Sequence, residues 1–338
     1  PAPRQPAVRV LRAIFLTLAW LAGGLVALAL ISFAVAAWIW RDIPAERLEA
    51  RYGTEASRFA EIDGARIHYR DEGQGPAVVL IHANFASLIG WDPWVEALKD
   101  RYRVVRFDMT SHGLSGADAT GNYSLPRTVD LMERLLDELG VDRCAIVGTS
   151  LGGTVAMHYT VRNPQRVAGL VLISPGSLEP DVRGRQAPAR MSPTTAIVRW
   201  ITPRALPEFM LRTGFGNPAG VSDELIDRWH DLWRLEGQRP AQLARLRQYI
   251  SGDIEELIGQ VSAPVLIQWG EENPQVHVEL AGELARLLKN SPSVETIIYP
   301  GVGHMAIQEA PRETAADARA WLDRLPFAEL PGIESQPR

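Results

Sequence analysis

The run Cys144-Ala145-Ile146-Val147, followed by Gly148-Thr149-Ser150-Leu151-Gly152-Gly153 and then Val155-Ala156-Met157-His158-Tyr159, constrains this chain more than any other stretch. An apolar strand-like segment gives way to a glycine-framed serine and then to a helix-like segment. The order is therefore strand, tight turn, helix. Glycines two residues before and two after Ser150 let the backbone take a strained turn that leaves the hydroxyl at the apex. A serine hydroxyl is a poor nucleophile unless it is held exposed beside a base, and this turn exposes it. The bare spacing is common, and the flanking strand and helix give it weight as a nucleophile elbow.

A nucleophile needs a base, and the chain holds seven histidines. His304 is the best placed: it follows Gly301-Val302-Gly303, just after the strand-like Val294 to Tyr299, on a loop at a strand's C-terminal end, where open α/β sheets place their chemistry. His82 and His112 fall near other strand ends and read as residues that shape the site. His158 on the elbow helix and His68 in an early strand read as packing or surface groups.

The remaining pattern alternates strands and helices as a doubly wound, mostly parallel sheet requires. Phe59 to Ile62 and Arg66 to Arg70 form a hairpin about Asp63-Gly64. Strands are predicted near 77–82, 103–108, 143–148, 167–174, 264–269 and 294–299, and a last helix near 311–325. Between Ser174 and Pro264 the alternation breaks into helical runs with proline punctuation, Asp223 to Leu235 and Ala241 to Tyr249 among them.

Further segments fall into register with the elbow. His82-Ala83-Asn84-Phe85 follows the strand Ala77 to Ile81; Asp108-Met109-Thr110-Ser111-His112-Gly113-Leu114-Ser115 follows the next; Trp269-Gly270-Glu271-Glu272-Asn273-Pro274 follows Val265 to Gln268. Together, and in this order, they make residues 58 to 325 resemble the α/β-hydrolase superfamily in its cap-bearing esterase, lipase and carbon–carbon-bond hydrolase branches. The resemblance implies an oxyanion hole from the Leu151 and Asn84 N–H groups, with Ser150 attacking and His304 moving the proton. It also implies a helical cap over 177–259 and no cofactor or metal. No Cys/His cluster has zinc spacing, and the elbow lacks the Gly-Lys-Ser/Thr of a phosphate loop.

The chain departs from that family where the third triad member belongs. Asn273 stands at the usual aspartate position, and an amide can orient an imidazole but cannot stabilise an imidazolium. Glu272 or Glu271 could serve from the neighbouring positions, with Glu272 the first candidate. The acid could instead lie at another strand end, the site could run as Ser-His-Asn, or it could be inactive. Ala83 replaces glycine in the oxyanion segment, and Thr110-Ser111 stands where Pro-Gly is common. His277 reads as an exposed loop residue. The cap's Trp200, Phe209, Met210, Leu211, Phe215, Trp229 and Trp233 imply an apolar lid, although tryptophans at helical spacing usually pack a cap onto its core.

Ala13 to Trp40 carries no charged residue and is long enough to cross a hydrocarbon core of ~30 Å. It reads as a membrane anchor, with Trp38 and Trp40 at the interface. A cleaved signal peptide is the competing reading, because Ala34-Val35-Ala36 has small-residue cleavage character. Arg4, Arg9 and Arg12 before the span favour a single-pass topology with the catalytic part on the extracytoplasmic side, against Arg41, Arg47 and Arg51 after it. The expected order is a tail over 1–12, the anchor over 13–40, a charged linker over 41–58, hydrolase core over 59–176 and 260–325 around the cap, and a tail over 326–338.

A net charge of −5 gives no basic surface for nucleic acid, and the lone Cys144 excludes an internal disulfide. The function expected is a membrane-anchored serine hydrolase acting on a small apolar carboxylic ester, with membrane lipid as the partner of the anchor. Lactone, amide or carbon–carbon bond hydrolysis on the same site, or a non-catalytic binding protein with this fold, are the alternatives. Oligomeric state stays open.

Overall fold

The computed structural model describes residues 5–179 and 183–327, so the ends of both expected tails and residues 180–182 of the cap lie outside the described residues. Eight strands form one sheet: β1 (Ser57–Ile62), β2 (Ala65–Glu72), β3 (Ala77–Ile81), β4 (Arg103–Phe107), β5 (Cys144–Thr149), β6 (Val167–Ile173), β7 (Val265–Gly270) and β8 (Val294–Tyr299). Their order is β1-β2-β4-β3-β5-β6-β7-β8. The β1–β2 and β2–β4 pairs are antiparallel and the rest parallel. The chain thus has the α/β-hydrolase fold.

The predicted hairpin forms with Ile62 opposite Ala65, and its turn residues Asp63 and Gly64 both take positive φ, 48° and 81°. That is the backbone hand that matches the twist of the two strands. Inner strands are apolar along their whole length because both faces are covered. Val79, Ile81 and Ile146 face a layer that includes α4 (Leu125–Glu138) and α5 (Leu151–Arg162). Val78, Leu80 and Val147 face a layer that includes α3 (Asp92–Leu98) and α13 (Pro311–Leu322), where Trp91, Trp94 and Trp321 are buried. The Trp94 indole N–H donates to Thr314 Oγ1 at 3.1 Å, which ties those two helices together.

The helix α1 (Gln5–Ile39) begins before the expected span, at Gln5, and projects its apolar side chains outward; Phe15 is 70% and Trp20 82% exposed. The segment expected as a linker is docked. After Ile43 the helix α2 (Ala45–Tyr52) packs Leu48 against Leu114, Leu232 and Leu235, and Ile43 exchanges backbone hydrogen bonds with Arg234 and Glu236. The cap holds α6 (Pro193–Ala196), α7 (Ala205–Gly214), α8 (Asp223–Trp233) and α9 (Gln238–Gln248). At the end of the segment expected as cap, α10 (Ile254–Gly259) packs Ile254 and Ile258 into the core beneath the sheet, and α11 (Glu279–Leu287) and α12 (Ala306–Glu309) complete the chain order.

The aromatic residues divide by energetics. Trp94→Ala, which empties a fully buried site and removes the indole donor to Thr314 Oγ1, is expected to cost about 3–5 kcal/mol in a urea titration. Phe209→Ala, on a side chain 65% exposed, is expected to stay within about 0.5 kcal/mol of wild type in the same urea titration.

Candidate active site

Strand register brings the loops together. Ile81 pairs with Gly148, Thr149 with Ile173, and Ile173 with Gln268, so the parallel strands end on one edge of the sheet. The loops beyond that edge carry Asn84, His112, Ser150, Asn273 and His304.

Ser150 sits between β5 and α5 at φ 50°, ψ −118°, a conformation that side chains other than glycine rarely take. Its neighbours must be glycine for steric reasons. A Cβ on Gly148 would stand 2.3 Å from the Gly152 carbonyl oxygen, and one on Gly152 would stand 2.3 Å from the Ile81 carbonyl oxygen. Leu151 opens α5, so its N–H belongs to the first turn, which has no intrahelical acceptor. A cavity of about 210 Å³ is lined by Ser150, Leu151 and Asn84, with Arg245, Leu246 and Tyr249 on the cap side.

Asn84 is held from behind. Its Oδ1 accepts from His112 Nε2 at 2.9 Å, and His112 Nδ1 lies 3.3 Å from Ser111 Oγ. Ser111 Oγ in turn accepts from Arg245 Nε at 2.9 Å. The remaining Arg245 donors go to Thr110 O and Oγ1, Thr128 Oγ1 and Tyr123 O, so all five N–H groups meet neutral oxygens. Burial pushes the Arg245 guanidinium down to about 10, which leaves it cationic at neutral pH. His82 staples two strand ends: Nδ1–H donates to Ala83 O at 2.7 Å and Nε2 accepts from Met109 N at 3.0 Å. Burial lowers the pKa of both His82 and His112, so both are neutral structural groups. His68 is buried too, with Nδ1 2.7 Å from Asp108 Oδ2. His277 is exposed.

The imidazole of His304 is buried, and the side chain that meets it is Asn273, with Nδ2 3.2 Å from Nδ1. Glu272, the first candidate for an orienting acid, is exposed and makes no side-chain hydrogen bond among the described residues. Asn273 Oδ1 already accepts from the N–H groups of Gln275 and Val276, at 3.0 and 2.9 Å. Two backbone donors on one atom identify that atom as the oxygen, so the amide nitrogen must face His304. Nδ1 then accepts a hydrogen bond, and the neutral ring carries its proton on Nε2. An aspartate would instead keep both backbone bonds and accept from Nδ1–H.

The cap fixes this loop as well. His304 N–H donates to Gly214 O at 2.7 Å, and the Glu309 carboxylate accepts from the N–H groups of Gly216, Gly303 and Met305. Trp229 and Trp233 pack the cap onto its base, as their helical spacing predicts, and none of the cap aromatics named above lines the cavity at Ser150. Phe215, Trp229 and Trp233 cluster with Ala83, Ala86 and Met305, and the Trp233 indole donates to Phe85 O at 2.9 Å. The cap wall of the cavity is Arg245, Leu246 and Tyr249, with Arg185 and Glu179 also lining it. Hydrophobic patterning missed this wall because the buried face of α9 is polar: Gln238, Gln242 and Arg245 recur at helical spacing.

A model of the alpha/beta hydrolase family matches residues 78–318, most of the chain and every loop that carries the candidate site. The chain belongs to the alpha/beta hydrolase family. It is 26% identical over 253 residues to 2-hydroxy-6-oxo-6-phenylhexa-2,4-dienoate hydrolase of Burkholderia cepacia, covering 71% of this chain and 85% of that protein. It is 29% identical over 277 residues to the dihydrolipoyllysine-residue acetyltransferase component of the acetoin cleaving system of Cupriavidus necator, covering 79% and 69%. The crystal structure of a membrane phospholipase A, described as a bacterial virulence factor, superposes with a TM-score of 0.65 at 24% identity over 93% of this chain and 98% of its own. The uncovered 7% is shorter than α1, so part of that helix lies within the match. Membership supports hydrolase activity.

Burial with no facing carboxylate pushes the His304 pKa from 6.5 down to about 4. The unfolded chain therefore takes up this proton first as pH falls, and the stability of the neutral buried ring is lost between 6.5 and about 4. NMR titration of the His304 ring is expected to give a midpoint near 4 with the Nε2–H tautomer above it. In Asn273→Asp the facing carboxylate is expected to raise that midpoint by about 1–3 units and move the proton to Nδ1.

Proposed function

We propose that this chain is a membrane-anchored serine hydrolase that cleaves carboxylic esters through an acyl-serine intermediate. The observation that carries the reading is Ser150, strained at positive φ and lining a cavity together with Leu151 and Asn84. In this reading Ser150 Oγ adds to the ester carbonyl and its proton passes to His304. The oxyanion is held by the N–H groups of Leu151 and Asn84, in the field of the Arg245 cation on the same cavity wall. Collapse of the tetrahedral adduct expels the alcohol, which takes the proton back from His304, and water then releases the acid.

Asn273 makes this a slow site. To accept the serine proton, the ring must carry its own proton on Nδ1, facing an amide nitrogen that cannot accept it. Reaction therefore requires turning the amide or the ring away from the favoured arrangement, and the imidazolium gains no carboxylate. In serine proteases the same acid-to-amide change costs about 10⁴ in turnover.

The apolar and exposed α1 supports the anchor. Arg9–Ile39 holds a window long and apolar enough to cross a membrane, and water is a poor solvent for side chains such as Phe15 and Trp20 left on the outside of a folded protein. On the cap beside it, Trp200 meets Phe33 of α1 edge-on at 6.1 Å, and Ile197 and Trp200 are each 45% exposed. Apolar cap surface therefore lies beside α1. Arg9 and Arg12 before the span favour the extracytoplasmic side, against Arg41, Arg47 and Arg51 after it.

With p-nitrophenyl esters of graded chain length, Ser150→Ala is expected to abolish turnover and fluorophosphonate labelling. Asn273→Asp is expected to raise kcat/KM by between about 10-fold and about 10⁴-fold, whereas Glu272→Ala leaves it unchanged. Labelling of Ser150 without turnover of any ester would move the activity to another bond, and absence of both would make the chain a non-catalytic member. Membrane vesicles bearing the full chain are expected to retain it through an alkaline carbonate wash; release into the supernatant would refute the anchor.

A further inference from the structure

A second cavity, of about 570 Å³, lies at the foot of α1, away from Ser150. Ile39 from the end of α1, α2, and the C-terminal end of α8 enclose it. Four arginines line it, Arg41, Arg47, Arg51 and Arg234, against two acids, Asp42 and Asp231.

Both acids are already engaged. Asp42 Oδ1 accepts from Arg239 Nη2 at 2.7 Å and Nε at 3.0 Å. Asp231 is shared among Arg51 at 2.5 Å, Arg234 at 3.1 Å and the Tyr52 hydroxyl at 2.9 Å. Arg41 and Arg47 are left with no carboxylate within 4 Å among the described residues. Arg41 reaches only the Trp38 carbonyl at 3.2 Å and the face of the Trp38 ring. Arg47 makes no side-chain hydrogen bond among the described residues. Arg47 and Arg51 stand four apart on one face of α2, where like charges repel unless an anion lies between them.

Between these charged groups the floor of the cavity carries an apolar strip. Ile39, Ile43 and Leu48 form it, Leu48 is 1% exposed, and Ile43 is pinned to the cap by two backbone hydrogen bonds. A concave, mostly charged site with two unneutralised guanidinium groups suits an oxygen-rich anion, above all a phosphate, which accepts from several forks at once. Its depth identifies the source. The cavity begins at the last turn of the apolar helix, beside Trp38 and Trp40, at the level where interfacial tryptophans and phospholipid phosphates lie.

We infer that this cavity is a binding site for the phosphate of an anionic membrane phospholipid, held by Arg41 and Arg47 and seated against the foot of α1. The inference rests on α1 being a membrane span, which the carbonate wash checks on its own. Occupation would offset part of the cluster's positive charge and fix the anchor against α2 and the cap. The catalytic domain would then sit at a set height over the bilayer.

Native mass spectrometry of the full chain in detergent tests this with phosphatidylglycerol and with diacylglycerol of the same acyl chains. The phosphatidylglycerol adduct is expected to survive micelle removal, and the Arg41→Ala/Arg47→Ala double variant to lose it by on the order of tenfold. Ester turnover by that variant in detergent should stay at the wild-type rate, showing that the fold is intact. Millimolar inorganic phosphate is expected to leave the wild-type adduct in place. If it displaces the lipid and itself binds with the same arginine dependence, a free phosphate is the ligand and the lipid assignment falls. Equal retention of the two lipids, or phosphatidylglycerol retention unchanged in the double variant, overturns the site.

Discussion

The contact on which the rest of the structure depends is backbone against backbone at Gly152, where any Cβ would stand 2.3 Å from the Ile81 carbonyl oxygen. It lets the start of α5 close onto the end of β3. That approach brings the first-turn N–H of Leu151 to the loop that carries Asn84, and it forces Ser150 into its positive-φ conformation. The strain at Ser150 persists because the sheet holds both sides of the turn: Ser150 N–H donates to Ile173 O at 3.0 Å, and Thr149 is paired in β5. Stability and site geometry are here one constraint.

Around that turn the cap acts as a positioning element more than as a lid. Its aromatic cluster anchors it to the loops bearing Asn84 and Met305, while Arg245 reaches through Ser111 and His112 to the Asn84 side chain. Glu309 ties the cap segment at Gly216 to the loop before His304. Burial raises the Glu309 pKa, and hydrogen bonds from the backbone N–H groups of Gly303, Gly216, Met305 and Asn217 oppose that shift. The anchor-side segment joins the same assembly through Ile43 and Leu48, so α1, α2, cap and core are mechanically continuous.

Much of this was legible in the residues, for identifiable reasons. Apolar runs marked the inner strands because parallel strands are covered on both faces, and Asp63-Gly64 marked the hairpin because few pairs accept two positive φ values. The Ser150 turn was legible because its glycines have no substitutes. The partner of His304 was not. Choosing between Glu272 and Asn273 depends on which side chain turns inward, and the N–H groups of Gln275 and Val276 settle that by capturing Asn273 Oδ1. The cavity wall was hidden for the opposite reason. The inward face of α9 is polar, so a rule that buries apolar residues turns the helix the wrong way, whereas the tryptophans at helical spacing pack the cap to its base as that rule expects.

By itself, the sequence determined the doubly wound sheet, the elbow at Ser150, the histidine at the end of β8 and an apolar segment before them, because each is written in local spacing that permits one backbone solution. Tertiary structure alone decided the direction of the Asn273 amide, the burial of Arg245 among neutral oxygens and the meeting of Arg41, Arg47, Arg51 and Arg234 at the foot of α1. Those outcomes join residues far apart in the chain and depend on where hydrogen-bond donors and charges end up once the sheet has closed, which no local pattern encodes.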